Sequence, residues 1–342
     1  MCAALDMRLH RVHLARVDST NTHARALALE LLARGESGLL AVVTADEQRA
    51  GRGRLGRSWS SGRGDLKLSF AFEVPGAALA TAYQLSPLLS VAVVRGTAAA
   101  RYAGGGALPP LGIKWPNDLV VGGARKVGGI LCELEALPNG GHVAVLGVGI
   151  NVHSDAEALG VPRPVWPLTT LRAEAAAAGS ARGVGSGVGS GSGGGGGSRD
   201  RGDGGGGGGG SGGGAGGSCS SGSSGVGGAG AAAPPPLDLG VLTDAIVAAF
   251  ARALPEYWAR GFAPFQAEYE AASVLLGRRV RFTTGGGGGG SAVSGVAVSI
   301  HGDGRLRIAP DDGGAHRDFL CGEVSGVELM PGAFVEGEPD GH

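Results

Sequence analysis

The chain has 342 residues, with 29 lysines and arginines against 30 aspartates and glutamates, a formal net charge of -1 and 17% charged residues. That is long enough for two ordinary domains, and the absence of a basic excess excludes bulk electrostatic binding to nucleic acid or an anionic membrane. Cys2, Cys132, Cys219 and Cys321 lie far apart without a C-x-x-C pair, so neither a zinc site nor a disulfide framework is expected, and a reducing compartment fits best.

No stretch reads as approaching the roughly 20 apolar residues of a membrane span, and the start lacks the charged, apolar and small-residue regions of a secretory signal. A cytoplasmic protein is expected, with a plastid or other organelle open if a targeting segment precedes this start. Glycine, at 70 residues, is concentrated: from about residue 173 to 236 the chain is Gly, Ser and Ala with few charges, ending in Pro234, Pro235 and Pro236. Such a segment has almost nothing to bury and is expected to be disordered. Gly285 to Gly290 reads as a lengthened hairpin loop. Loop closure costs only about 0.6 kcal/mol per doubling of length, so a folded host carries both.

Residues Asp18 to Arg34 predict the first helix. Asp18, Ser19, Thr20 and Asn21 offer N-cap oxygens, Ala24, Leu27, Ala28, Leu31 and Leu32 recur at helical spacing, and Gly35 stands where a helix-ending glycine belongs. The four small polar residues either cap the helix or line a pocket. Leu39 to Thr44 is an apolar run of strand length, and Leu66 to Phe72 alternates as a second strand. Between them stands Gly51-Arg52-Gly53-Arg54-Leu55-Gly56-Arg57. Glycine lets a chain approach a ligand without a Cβ and arginine supplies planar bidentate donors, so the loop suits a phosphate or carboxylate; a solvated basic turn is the plainer alternative. Gly51, Gly53 and Gly56 also spell G-x-G-x-x-G, a dinucleotide fingerprint that needs a strand directly before it and a helix directly after. Here the polar run from Ala45 to Ala50 precedes it and the loop Ser58 to Gly62 follows, so a dinucleotide fold is not expected.

Ser86 and Pro87 open a largely apolar helix to about Tyr102, which predicts core. In Gly112 to Val121, Pro116 holds Trp115 extended, and the turn gathers Lys114, Asn117 and Asp118. Lys126 then leads into the strand Val127 to Glu135, with Ile130, Cys132 and Leu134 expected on one face and Glu133 and Glu135 on the other. Cys132 has no basic partner at a local spacing and is expected to be a small buried hydrophobe. Pro138 to Gly141 predicts a hairpin turn and His142 to Asn151 the returning strand, in which Gly147 and Gly149 leave one face bare. A flat ligand or a close-packed neighbour explains such a face equally well. Beyond the glycine-rich segment, Leu239 to Tyr257 and Phe262 to Leu275 read as helices parted near Pro255 and Gly261. Short strands follow at Arg279 to Thr283, Ala292 to Ile300, Arg305 to Ala309 and Phe319 to Leu329, predicting a small SH3-like barrel.

In order and spacing, Asp18-Ser19-Thr20-Asn21, Gln48, the arginine–glycine loop, Lys114-Trp115-Pro116-Asn117-Asp118, Lys126 to Leu131 and Gly147 to Asn151 resemble the motifs of the biotin–protein ligase family. Gly322-Glu323-Val324-Ser325 is similar to the last strand of that family's small barrel. The resemblance implies an α+β chain: a central mixed β-sheet with flanking helices, of the class II synthetase-like kind, plus a C-terminal SH3-like β-barrel. Residues 9–275 would form the catalytic domain, interrupted by the insertion, residues 276–332 the barrel and 333–342 a tail.

It also implies an enzyme that joins biotin and ATP into biotinyl-5'-AMP, with Mg2+ on the phosphates, and transfers biotin to a lysine of biotin carboxyl-carrier domains of carboxylases. A lipoate or octanoate ligase on the related fold, or a non-catalytic biotin binder, is the alternative. Ser19, Thr20, Asn21, Gln48, Gly51, Arg52, Gly53, Arg54, Lys126, Gly128 and Gly129 would then face biotin, and Arg54, Arg57, Trp59, Lys114, Asn117 and Asn151 the nucleotide. Arg52, Arg54, Lys114 and Lys126 would neutralise the two meeting anions. Asp118 would either deprotonate the acceptor amine or fix the Lys114 turn. No metal ligand is assigned. The chain starts at the catalytic region without a helix-turn-helix, so no nucleic-acid partner or repressor role is expected; a monomer or a homodimer both fit.

Overall fold

The computed structural model describes residues 8–36, 39–102, 105–154, 166–183, 236–284 and 291–325. The first sheet has seven strands in the order β1-β2-β3-β7-β6-β5-β4. They are β1 (Arg8–Leu14), β2 (Leu39–Ala45), β3 (Leu66–Val74), β4 (Leu111–Lys114), β5 (Asp118–Val121), β6 (Arg125–Ala136) and β7 (His142–Ile150). β1 runs parallel to β2 and every other neighbour is antiparallel, so the sheet is mixed, as expected.

Both faces of the sheet are covered, and the period of two along the strands decides what each face carries. Ala41, Val43, Ala71, Val143 and Val145 meet Ala24 and Ala28 of helix α1 (Thr20–Ala33). On the other face Leu40, Val42, Leu68, Phe70 and Phe72 join the larger core under α2 (Leu85–Ala99) and α4 (Leu239–Arg260). Phe250 of α4 is central there, its ring centroid 4.6 Å from that of Phe70 and 6.0 Å from that of Phe72. A second, five-stranded antiparallel sheet has the order β11-β10-β9-β8-β12. Its strands are β8 (Arg279–Thr283), β9 (Ala292–Ile300), β10 (Leu306–Pro310), β11 (Arg317–Phe319) and β12 (Glu323–Ser325). Strand number and pairing fit the small module expected; no β11–β12 closure is present among the described residues.

Several expectations need correction. β1 was not legible: its sequence interleaves Arg8, His10, Arg11 and His13 with apolar residues, and as a sheet edge it buries little. The segment Gly76–Ala99 does meet the length and hydropathy of a membrane span, with mean hydropathy 1.6. It consists of 3-10 turns (Gly76–Gln84) running into α2, whose Leu85, Leu88, Leu89, Val91 and Val93 are spent on the core.

Helix α3 (Leu171–Gly183) occupies the start of the stretch expected to be disordered. Alanines there have the highest helix propensity, Thr170 Oγ1 accepts from Ala173 N at 3.1 Å as a cap, and Glu174 pairs with Arg125 at 2.6 Å. α4 continues through Pro255 and ends only at Gly261, whose φ of 69° is left-handed. The helix expected over Phe262 to Leu275 is a 3-10 turn followed by α5 (Gln266–Ala272). Beyond it Ser273 bridges to Ile113, covering the β4 edge. Leu134 is 46% exposed rather than facing the core. The last expected strand breaks into β11 and β12. The remainder of the glycine-rich insertion, the 285–290 loop, residues 326–329 of that strand, the tail, Cys2 and Cys219 lie outside the described residues.

Candidate functional site

The N-terminus of α1 contributes the first group. Ser19, Thr20 and Asn21 are 5%, 4% and 4% exposed, and Ser19 makes no side-chain cap hydrogen bond, which favours the pocket over the cap. Gln48, beyond β2, accepts from Thr20 N at 2.8 Å and Thr20 Oγ1 at 2.9 Å. Ser69 Oγ of β3 lies 2.8 Å from Thr20 Oγ1 and 2.6 Å from Asn21 Oδ1. Asn21 Nδ2 donates to Glu133 at 2.7 Å. The cluster is neutral except where it touches Glu133, and its geometry is fixed by mutual hydrogen bonds.

The arginine–glycine loop folds back on itself through a bridge between Arg52 and Ser58, with Trp59 N donating to Gly51 O at 2.9 Å. A Cβ on Gly51 would stand 2.3 Å from Trp59 O, so Gly51 is required for this closure. The three arginines diverge. Arg52 donates to Glu133 at 2.9 Å, and Arg57 pairs with Glu323 of β12. Arg54 donates to the neutral acceptors Asn117 Oδ1 at 2.8 Å and Gly322 O at 3.4 Å. It has no ion pair among the described residues, and burial pulls its pKa down from the ordinary value. A half-buried cation without an anionic partner is a ready receptor for a ligand anion.

β4 and β5 form a hairpin around the Trp115–Pro116 turn, placing Lys114 opposite Asp118 in register. Asp118 is shared: Lys126 Nζ donates to Oδ1 at 2.5 Å and Lys114 Nζ lies 3.4 Å from Oδ2. Burial works against the Asp118 carboxylate, but Lys126 and Lys114 outweigh it and hold its pKa below the usual value. Burial pushes the pKa of Lys114 down, against the pull of Asp118. The two cations therefore exceed the one anion they share. Lys114 Nζ also lies 5.0 Å from the centroid of the Trp166 ring, and Lys126 Nζ 5.8 Å from that of Trp59.

β7 supplies a floor. A Cβ on Gly147 would stand 2.2 Å from Asn21 Oδ1, and one on Gly149 2.4 Å from Trp59 Nε1. The bare face of that strand thus admits two close neighbours of the cavity. Asn151 follows at the strand end, 1% exposed, about 13 Å from Gly147 at strand rise. Trp59 Nε1 and Asn151 Oδ1 are buried without a hydrogen-bond partner, one a donor and one an acceptor. Buried polar atoms are normally satisfied, so these two, on residues that both line the cavity, are open to complementary groups.

These residues surround one cavity of about 340 Å³. Ser19, Thr20, Asn21, Gln48, Arg52, Gly53, Arg54, Arg57, Trp59, Lys114, Asn117, Asp118, Lys126, Gly129 and Asn151 all line it. Of the candidates, Gly51 and Gly128 do not: Gly51 closes the loop behind it, and a Cβ on Gly128 would stand 2.6 Å from Gly149 O. Sequence reasoning gave no role to Trp166, Leu168, Ile130 or Glu133. Leu168 reaches the cavity through a bridge to Lys126 that no local pattern announces. Cys132, expected to be buried, is partly buried against the core, and desolvation pushes its thiol up to about 12. No group of three His, Cys, Asp or Glu able to hold a metal ion occurs among the described residues.

Residues 13–151 match the model of the biotin/lipoate A/B protein ligase family. The biotin–[acetyl-CoA-carboxylase] ligase of Paracoccus denitrificans is 37% identical over 161 residues, 47% of this chain and 62% of that one. The bifunctional ligase/repressor BirA of Bacillus spizizenii is 34% identical over 154 residues, 44% of this chain and 43% of that one. The matched part therefore spans less than two thirds of either relative. In fold, the biotin protein ligase from Aquifex aeolicus in complex with biotin and ATP aligns with a TM-score of 0.57 at 21% identity, over 92% of this chain and 97% of that one. The family match thus lies in the strands and loops that build the cavity, its sequence relatives are biotin–protein ligases, and the fold shared with the Aquifex structure continues beyond the matched residues.

Proposed function

We propose that the protein is an ATP-dependent biotin–protein ligase. The observation that carries this reading is the composition of the cavity described above. A neutral, pre-ordered polar cluster around Thr20 and Gln48 opens onto Arg54 and the Lys114–Asp118–Lys126 group, with the unpartnered Trp59 Nε1 and Asn151 Oδ1 beside them. The neutral cluster suits the urea of biotin, whose donors and acceptors need short polar partners.

In the first half-reaction a biotin carboxylate oxygen attacks the α-phosphorus of ATP and the bond to pyrophosphate breaks. Both partners are anions, so the step needs cations aimed at the shared charge. Arg54, Lys126 and Lys114 take that role, with Arg52 on the carboxylate side. Trp59 and Asn151 hold the adenylate. In the second half-reaction a neutral lysine amine of the acceptor attacks the biotinyl carbonyl; AMP leaves and the amine proton passes to solvent. We assign Asp118 the anchoring role rather than that of base: two lysines hold its carboxylate and keep it ionised. The donor set forms no protein cage for a metal among the described residues, so magnesium enters as the counter-ion of ATP and no step is assigned to a protein-bound metal. The acceptors proposed are biotin carboxyl-carrier domains of biotin-dependent carboxylases.

Exchange of labelled pyrophosphate into ATP, run with biotin and separately with lipoate, tests the proposal. Exchange with biotin alone supports it. Exchange with lipoate alone moves the chain to the lipoate side of the matched family, and exchange with neither, in folded protein, leaves a binder without chemistry.

A further inference from the structure

Just outside the cavity lies a buried acid and a buried base that the chemistry above does not use. Asp65 is 1% exposed and Lys67 is 2% exposed, and neither lines the cavity. Asp65 Oδ2 accepts from Gly62 N at 2.7 Å and from Ser154 Oγ at 2.5 Å, while Oδ1 accepts from Val152 N at 2.9 Å, Ser154 N at 3.2 Å and His153 N at 3.3 Å. Lys67 Nζ donates to the backbone oxygens of Asp46 at 2.9 Å, Gly62 at 2.5 Å and Asp65 at 3.0 Å. Burial lowers the pKa of Lys67, and three carbonyl acceptors are what a buried ammonium needs.

The partners of these two side chains belong to three separate segments of the chain. Asp46 precedes Gln48 by two residues, Gly62 follows Trp59 by three, and Val152 follows Asn151 by one. The segments also touch: a Cβ on Gly62 would stand 2.2 Å from Ser154 Oγ, and one on Gly64 2.7 Å from His153 Cβ. We infer that Asp65 and Lys67 are positioning residues that hold the segments bearing Gln48, Trp59 and Asn151 in register without touching a ligand. Asp65 spans the two nucleotide-side segments, and Lys67 ties the first of them to the end of β2. A buried carboxylate that satisfies consecutive backbone N–H groups fixes their directions, and removing it leaves several donors unpaired at once. The consequence for Asp65 is asymmetric: the nucleotide side loosens while the Thr20–Gln48 cluster keeps its own hydrogen bonds.

The assay rests on the ligase reading for its ligands. ATP and biotin are titrated separately, by calorimetry, into wild type, Asp65→Asn and Ser154→Ala, with thermal melts and amide hydrogen exchange on the same samples. D65N turns one acceptor oxygen into a donor facing N–H or O–H groups. The expected result is ATP affinity down by about tenfold or more, with biotin affinity moved by less than about threefold, and a smaller ATP loss of about threefold in S154A, which keeps the backbone donors. Amide exchange should quicken near Trp59 and at Val152 to Ser154 while α4 stays protected. Folded D65N with wild-type ATP affinity, or an equal loss of both ligands, overturns the inference. Should D65N fail to fold, S154A decides, and unchanged ATP affinity there overturns it. If wild type binds neither ligand the ligase reading fails, and the exchange data alone judge the positioning role: unchanged protection in folded D65N or S154A refutes it.

Discussion

Gly149→Ala adds one methyl group to the floor of the cavity, and the structure fixes where that methyl lands: 2.4 Å from Trp59 Nε1, 2.6 Å from Cε2 and 2.9 Å from Cζ2. Real Cβ contacts do not come so close, so the indole must turn or withdraw. Trp59 is only half-buried, which lets the ring move outward without breaking β7, and the fold should survive. Overpacking of this kind costs about 1–3 kcal/mol. If the cost falls on the bound state, in which Trp59 must return to its place, ATP affinity drops about 5- to 150-fold. Gly129→Ala is the internal control. Its new methyl would meet nothing closer than 3.7 Å, at Asp118 Oδ1 and Lys126 Cε and Nζ, so its apo structure and tryptophan emission should be unchanged. Titration of ATP followed by tryptophan fluorescence, with melting curves for both variants, reads the difference. Wild-type emission and ATP affinity in G149A would refute the claim that Trp59 lies on Gly149 at the nucleotide side.

Arg54→Ala and Lys126→Met should each reduce biotin-dependent pyrophosphate exchange by about 10²–10³, by analogy with loss of one oxyanion donor, with little change in melting temperature; full activity in either removes it from the site. Phe250→Ala empties the space beside Phe70 and Phe72 and should cost about 3–5 kcal/mol in denaturant unfolding. Hydrogen bonding to Arg307, with help from His301, lowers the Asp318 carboxyl from 3.8 to about 2. Its folded pKa lies below the unfolded one, so its stabilisation is present above about 3.8 and is lost as pH falls through about 2. The group is accessible to solvent, so Asp318→Asn should remove no more than about 1 kcal/mol of that pH dependence, measured as melting temperature against pH.

The sequence makes the site more legible than its scaffold. Gln48, Arg54, Lys114 and Lys126 are recognisable because each stands in a motif that resembles the biotin–protein ligases in order and spacing, and all of them line the cavity. Glu133 is different. On a strand it reads as an outward charge, and its tie to Arg52 and Asn21 spans sequence separations of 81 and 112 residues, which no local pattern encodes. β1 was hidden for a related reason: an edge strand buries one face only and tolerates arginine and histidine along it. The alanines after Leu171 read as low complexity because composition does not distinguish a linker from a helix. Thr170 and the Arg125–Glu174 pair settle it, and one of those partners lies on β6.

Among the described residues, three hydrogen bonds or ion pairs join the small C-terminal sheet to the loop and turn beside the cavity: Trp115 Nε1 to Gly304 O at 3.1 Å, Arg54 to Gly322 O at 3.4 Å, and Arg57 to Glu323. Two of them end on the very loop that carries the arginines, and the third on the turn between Lys114 and Asp118. The modules therefore cannot be exchanged as separate parts. A chimera joining this first sheet to the small sheet of a distant relative would have to match the backbone positions of Gly304 and Gly322 as well as the charge of Glu323, or the seam would open into the cavity itself.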